Sequence, residues 1–122
     1  MDYREKIQAS IEYIEENLSE ELTLEELAKQ ALVSKFYYHR LFHEEVGEPV
    51  MAYIRKRRLT EAAKELKEGH VNVLDVAIKY QFGSQEAFSR AFKRMFHIAP
   101  GKVKQSRPRT LQRKEASMRC AA

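Results

Sequence analysis

The chain resembles itself at an offset of about 50 residues. Four segments of the first half match four of the second: Leu27-Ala28 with Val76-Ala77, Leu32-Val33-Ser34 with Phe82-Gly83-Ser84, Arg40-Leu41-Phe42 with Arg90-Ala91-Phe92, and Pro49 with Pro100. The offset slips from 49 to 51 along the unit, as one-residue loop insertions would produce. Such a repeat predicts a fold built from two copies of one small supersecondary unit.

Each unit has the outline of a helix-turn-helix, because a short helix, a tight turn and a serine-capped helix follow one another. Apolar residues recur every three or four positions, and Ser34 and Ser84 suit the N-cap of the second helix of each unit. Thr23 and Glu26 have the spacing of a capping box. The predicted helices cover residues 3–18, 24–31, 34–46, 49–68, 72–80 and 84–96, and a short final turn begins at Pro100.

The pattern therefore predicts an all-α fold of about seven helices, with two helix-turn-helix subdomains joined by a long linker helix. The predicted boundaries are 1–48 for the first subdomain, 49–68 for the linker helix, 69–104 for the second subdomain and 105–122 for a basic flexible tail. Twenty helical residues span about 30 Å. Two recognition helices on one face of B-DNA lie roughly 34 Å apart, so a single chain can read two unlike half-sites.

The charge of the chain is divided unevenly between its halves. Residues 1–50 carry 5 basic and 12 acidic side chains, whereas residues 51–122 carry 17 and 6, giving net charges of −7 and +11. A strongly basic half indicates a polyanionic partner, with nucleic acid first. No apolar run approaches the roughly 20 residues of a membrane helix, the N-terminus is polar, and Cys120 has no cysteine partner. These features predict a cytoplasmic protein without a membrane partner.

The residues at the caps and on the second helix of each unit resemble the AraC/XylS-type transcription regulators. The segments that carry the resemblance are Leu24–Ala28, Ser34, Arg40–Phe42, Gly47, Pro49, Arg58-Leu59, Ala62-Ala63, Val76-Ala77, Phe82, Ser84, Phe88–Lys93 and Pro100. The layout over residues 5–104 is similar to the short MarA/SoxS/Rob-like members. The resemblance implies bacterial transcription activation, often through contact with RNA polymerase. Gln81 and His97 depart from it, because the family commonly has glycine at both positions, and Ala87 replaces a larger residue.

Helix periodicity divides each recognition helix into an inward and an outward face. Tyr38, Leu41 and Phe42 are expected to point inward in the first, and Phe88 and Phe92 in the second. The resemblance puts base reading in the first helix on Phe36, His39 and Arg40. The outward residues predicted to read bases in the second helix are Gln85, Glu86, Ala87, Ser89 and Arg90. Arginine pairs with guanine, glutamine with adenine, and phenylalanine packs on a thymine methyl group.

Other polar residues suit the DNA backbone. The predicted phosphate contacts are Ser34, Lys35, Tyr37, Ser84, Lys93, Arg94, Lys102 and Lys104. Glu86 can accept a hydrogen bond from cytosine or merely repel phosphate. Three basic residues of the linker helix, Arg55, Lys56 and Arg57, fit either DNA contact or a solvated face. The acidic residues Glu12, Glu15, Glu16, Glu20 and Glu21 are expected to face away from DNA as a solvated face.

Catalytic, metal and cofactor sites find little support in the sequence. His39 and His43 lie four residues apart beside Glu44 and Glu45, but no third ligand has clear spacing. No phosphate-binding glycine loop or nucleophile elbow occurs, and Cys120 stands in the predicted tail. The chain is therefore predicted to be no enzyme and to bind double-stranded DNA as a monomer. Two alternatives stay open: a helical protein-interaction module, and the N-terminal part of a longer regulator with a C-terminal effector domain.

Overall fold

The computed structural model describes residues 2–106, with side chains as far as Val103, and consists of seven helices in that range. The helices are α1 (Tyr3–Glu16), α2 (Leu24–Gln30), α3 (Lys35–Val46), α4 (Val50–Glu68), α5 (Val73–Lys79), α6 (Gln85–Phe96) and α7 (Pro100–Ser106). The predicted all-α fold is confirmed. The predicted tail lies outside the described residues from position 107 onward, as does Cys120, whereas Gln105 still belongs to α7.

Short polar side chains begin most of these helices, because they accept hydrogen bonds from backbone N–H groups that lack a helical partner. The hydroxyls of Thr23, Ser34 and Ser84 accept from the third residue of α2, α3 and α6, as predicted. Asn72 does the same for α5. Of the predicted capping box at α2, the structure shows the bond accepted by Thr23. A complete capping box that we did not predict begins α1, where Asp2 exchanges hydrogen bonds with Glu5.

The turns of the two helix-turn-helix units form the same backbone hydrogen bonds. These hydrogen bonds correct part of the predicted alignment of the first unit with the second. The N–H of Leu32 donates to Lys29 and that of Gln81 to Ile78, and the next residues donate to Ala28 and Ala77. Leu32 therefore matches Gln81, one position earlier than predicted, and Gly83 is the inserted residue. The prolines do not match either, because Pro49 precedes α4 as its N-cap whereas Pro100 is the first residue of α7.

Within residues 2–106, three residues other than glycine adopt the left-handed backbone conformation: Leu32 (φ 63°), Gln81 (φ 70°) and His97 (φ 64°). Gln81 and His97 therefore adopt the left-handed conformation that a glycine favours at these two positions, although both residues carry a side chain. Gly47 and His97 end the two recognition helices in the same left-handed cap. A side chain in this region crowds the backbone and costs roughly 1–2 kcal/mol.

Both units pack on α4, which forms the centre of the molecule. Tyr38 and Phe42 of α3 and Phe88 and Phe92 of α6 are fully buried, as the periodicity predicts. Helices α1 and α2 pack against α3, and α5 and α7 pack against α4. Because the recognition helices bury one aromatic face, their opposite faces remain available at the surface.

A cluster of charges joins α1 to α4 and corrects two expectations. Arg57 donates to both carboxylate oxygens of Glu15, at 2.8 and 2.9 Å, and to Glu61 at 2.9 Å. The hydroxyl of Tyr53 donates to Glu15 at 2.7 Å. Glu15 is therefore not part of a solvated acidic face, and Arg57 is a half-buried structural residue. These hydrogen bonds, led by the one from Arg57, lower the pKa of Glu15 in spite of its burial.

The lowered pKa of Glu15 predicts acid sensitivity. A carboxylate with a lower pKa in the folded chain stabilises the fold above its unfolded pKa, near 4.5, and this stabilisation is lost as the pH falls through the folded value. Glu15→Gln should lower the thermal midpoint at pH 7 and flatten its decline below pH 4.5. Thermal denaturation from pH 7 to 3 measures both effects, with exposed Glu16→Gln as the control. An unchanged slope in Glu15→Gln would contradict the assignment.

Candidate nucleic-acid interface

The outward face of α3 presents an aromatic side chain to solvent. Phe36 is 81% exposed, which is unusual for a large apolar residue in a helix whose other face is core. The ammonium group of Lys35 lies 5.7 Å from the centre of the Phe36 ring and 3.3 Å from Glu25 of α2. The start of α3 therefore holds an apolar surface and a cation side by side, a combination that fits a thymine methyl group beside a phosphate.

Arg40 is supported by an aromatic pair. Its guanidinium carbon lies 5.2 Å from the centre of the Tyr37 ring, and that ring meets Tyr3 of α1 edge to face at 5.2 Å. Stacking restricts the rotation of a long side chain before it binds, so Arg40 is partly preorganised. Tyr3 was missed from the sequence, because nothing local indicates that the start of α1 reaches the recognition helix.

His39 lies exposed next to Arg40 on the same face, and its ring meets that of His43 at 6.4 Å. Within residues 2–106, no group of three or more His, Cys, Asp or Glu side chains is placed to hold a metal ion. The predicted absence of a metal stays a prediction. The same part of the chain has no helix long and apolar enough to cross a membrane.

The outward face of α6 is polar. Gln85, Glu86 and Arg90 are exposed, whereas Ala87 and Ser89 are half-buried. One nitrogen of Arg90 lies 3.4 Å from a carboxylate oxygen of Glu86 one turn earlier. Glu86 therefore has a contact that the sequence left open: it pairs with Arg90 in the free chain, and a nucleic acid would have to compete with it for the guanidinium.

Most residues predicted to contact phosphate are either serines at helix N-caps or basic residues. Ser34 and Ser84 already accept a hydrogen bond as N-caps, which leaves their hydroxyl protons free to be donated. Lys93, Arg94 and Lys102 are exposed and form no ion pair within the described residues. The side chain of Lys104 lies outside the described side chains. The exposed cations follow the N-terminal half of α6, so one face combines polar base-reading candidates with positive charge.

The three basic residues of α4 have different surroundings. Lys56 pairs with Glu48 at 3.0 Å, and Arg57 belongs to the cluster around Glu15. Arg55 is exposed and lines a groove of about 270 Å³ next to Gln81 and Gly83, at the turn before α6. Arg57 is therefore held in a structural cluster, whereas the exposed Arg55 and Lys56 remain candidates for DNA contact.

A buried arginine, missed from the sequence, connects α4 to the segment between α1 and α2. Arg58 is 8% exposed and donates to the carbonyls of Leu18 and Glu20, at 2.8 and 2.7 Å. The local signal of its burial is its place in a stripe spaced four residues apart, with Val50, Ile54, Ala62 and Leu66. The side-chain amide of Gln81 donates to the carbonyl of Ser19 between them, at 2.9 Å.

Comparison with known proteins identifies a family and several relatives that this chain resembles. The profile of a family described as a helix-turn-helix domain matches residues 27–106. The uncharacterized HTH-type transcriptional regulator YbfP of Bacillus subtilis is 42% identical over 117 residues, 96% of this chain and 40% of YbfP. The HTH-type transcriptional activator AarP of Providencia stuartii is 43% identical over 88 residues, 72% of this chain and 65% of AarP. The chain thus spans less than two thirds of either relative.

Two further proteins are similar to this chain, the first in sequence and the second in fold. The multiple antibiotic resistance protein MarA of Escherichia coli is 37% identical over 98 residues, 80% of this chain and 77% of MarA. The DNA-binding domain of AdpA, solved in complex with a target DNA, matches with a TM-score of 0.78 and 22% identity over 89% of this chain and 96% of that domain. The second similarity is one of fold.

Proposed function

Because this chain belongs to the AraC/XylS family of helix-turn-helix transcription regulators, we propose that it binds double-stranded DNA sequence-specifically and regulates transcription. The observation that carries the proposal is the pair of recognition helices, each buried through two aromatic residues and each presenting an exposed arginine on its outward face. In this proposal α3 and α6 enter two successive segments of the major groove, and one chain occupies the site as a monomer.

We assign base reading to the outward positions of each recognition helix. Arg40 and Arg90 donate to guanine, Phe36 packs on a thymine methyl group, and Gln85 pairs with adenine. His39, Glu86, Ala87 and Ser89 complete the predicted set. The exposure of both arginines supports these roles. Arg40 is oriented by its stacking on Tyr37, whereas Arg90 must exchange Glu86 for a base.

Phosphate contacts are assigned to the side chains around the two readers. Ser34, Lys35 and Tyr37 flank α3, and Ser84, Lys93, Arg94, Lys102 and Lys104 flank α6. They position the helices without reading sequence. We further propose that the regulator is a cytoplasmic activator, is no enzyme and contacts RNA polymerase; the name of AarP, a transcriptional activator, supports the direction of regulation.

Selection of bound duplexes from a random DNA pool tests the proposal. Two unlike sequence blocks about ten base pairs apart are expected, since the two units carry different side chains and the proposal places them in major-groove segments one duplex turn apart. A single enriched block would mean that one unit reads bases and that the other contacts only the DNA backbone. No enrichment by the intact chain would overturn the proposal and favour a helical protein-interaction module.

The two arginines should each control one position of the selected site. Arg40→Ala and Arg90→Ala are expected to weaken binding by roughly 1–3 kcal/mol and to relax base preference at one position in the first and second block, respectively. Titration of labelled duplexes carrying each base at that position measures both effects. Lys64→Ala is the control, because Lys64 pairs with Glu61 and is not assigned to the interface. Wild-type affinity in both arginine variants would refute these base-reading assignments.

A further inference from the structure

Three successive carbonyl groups between α1 and α2 accept hydrogen bonds from side chains that lie far away in the sequence. Arg58 donates to Leu18 and Glu20 at 2.8 and 2.7 Å, and Gln81 donates to Ser19 at 2.9 Å. Arg58 belongs to α4, but Gln81 belongs to the turn of the second helix-turn-helix unit. The Gln81 hydrogen bond therefore connects the turn before α6 to the segment before α2.

Gln81 makes this contact from an unfavourable backbone conformation. Its φ of 70° is one that glycine adopts freely and glutamine does not. The equivalent residue of the first unit, Leu32, has a φ of 63°, but its side chain is 83% exposed and has no polar atom to donate. The two positions thus share the same backbone strain, and only the second has a hydrogen bond that offsets it.

The position of α6 depends on the turn that contains Gln81. Phe82, the next residue, packs edge to face on Phe88 of α6 with ring centres 5.2 Å apart. Tyr80, the preceding residue, is nearly buried and donates to Glu65 of α4 at 2.5 Å. The backbone at Gln81 is therefore held between two anchored aromatic residues, so a contact made by its side chain restrains the whole second unit.

We propose that Gln81 is a positioning residue that fixes the orientation of the second helix-turn-helix unit relative to the first, and through it the half-site spacing that the chain accepts. The consequence for spacing rests on the proposed DNA-binding function, whereas the orientation does not. Gln81 need not touch DNA in this role. It acts through α6, whose outward residues read the second half-site at a distance set by the Ser19 contact.

Gln81→Gly and Leu32→Gly form a matched pair for testing the proposal. Both substitutions relieve the same left-handed strain, but only Gln81→Gly removes a hydrogen bond between the units. Spin labels on Lys29→Cys of α2 and Ile78→Cys of α5, in a Cys120→Ser background, report the distance between the units without DNA. We expect a broader distance distribution in Gln81→Gly and the wild-type distribution in Leu32→Gly. An unchanged distribution in Gln81→Gly would overturn the positioning role.

The spacing preference provides the second measurement. Duplexes selected by the wild-type chain are altered by inserting or removing one or two base pairs between the blocks. The affinity loss on the altered duplexes should be about fivefold smaller in Gln81→Gly than in the wild-type chain, as expected for one net hydrogen bond. Leu32→Gly should keep the wild-type loss. An equal loss in all three proteins would refute the effect on spacing.

The two measurements separate this inference from the proposed function. If the wild-type chain selects no duplex, the proposed function fails, but the spin-label distances still decide whether Gln81 orients the second unit. If the wild-type chain selects two blocks and Gln81→Gly retains both the distance distribution and the spacing preference, the proposed function stands and the role of Gln81 is refuted.

Discussion

We expect the dissociation constant for the selected duplex to rise about 500-fold when monovalent salt is raised from about 50 to about 200 mM. Each neutralised phosphate releases counterions and contributes about −0.9 to the logarithmic slope of affinity against salt. Five basic side chains assigned to phosphate give a slope near −4.5: Lys35, Lys93, Arg94, Lys102 and Lys104. Fluorescence anisotropy with a labelled duplex across this salt range measures the slope.

Two variants sharpen this test. Removing two of the cations in Lys93→Ala/Arg94→Ala should make the slope about 1.8 less steep and weaken all duplexes alike, because these side chains meet the backbone and not the bases. Lys64→Ala should leave the slope unchanged, since Lys64 is paired with Glu61 at 3.0 Å. A flat salt profile in the wild-type chain would be incompatible with phosphate contacts and hence with DNA binding by this face.

The buried Arg58 should contribute substantially to the stability of the fold. Its guanidinium meets carbonyl oxygens of residues 18 and 20 and, within the described part of the chain, no carboxylate. Burial lowers the pKa of Arg58 but leaves it charged at neutral pH. Arg58→Ala removes two charge-assisted hydrogen bonds and leaves a buried carbonyl without its donor, so the free energy of unfolding should fall by about 3 kcal/mol.

Urea denaturation followed by circular dichroism measures this loss. Arg55→Ala is the matched control, because Arg55 lies on the same helix but is exposed, and a change within about 0.5 kcal/mol is expected there. Arg58→Lys should recover only part of the loss, since an ammonium group lacks the planar fork that spans two carbonyls. Equal stability of Arg58→Ala and Arg55→Ala would show that the carbonyls between α1 and α2 need no side-chain donor.

Local interactions made much of the fold predictable. The caps at Ser34, Asn72 and Ser84 involve groups only three residues apart, so a short segment contains all the information that they require. The inward positions of Tyr38 and Phe92 follow from the helical repeat. The same repeat predicted which faces of α3 and α6 would remain exposed, although the exact alignment of the two units required the backbone hydrogen bonds of the turns.

Contacts between distant segments had no comparable signal. The hydrogen bonds of Arg57 to Glu15, of Arg58 to Leu18 and of Gln81 to Ser19 join residues 42, 40 and 62 positions apart. The local sequence does not distinguish Glu15 from other acidic residues of an amphipathic helix, and it shows Gln81 only as a residue in place of a turn glycine. Periodicity indicates which side chains face inward or outward, but it does not indicate which segment will lie opposite them.

The sequence by itself determined the helices, their caps, their buried faces and the duplication that makes two recognition helices, because each depends on spacing along the chain. Only the tertiary structure decided how the two units are held to each other. That arrangement depends on the packing of both units on α4 and on the hydrogen bonds from Arg58 and Gln81 to three carbonyls between α1 and α2. Such contacts arise when packing brings the segments together, and the relative placement of the readers follows from them.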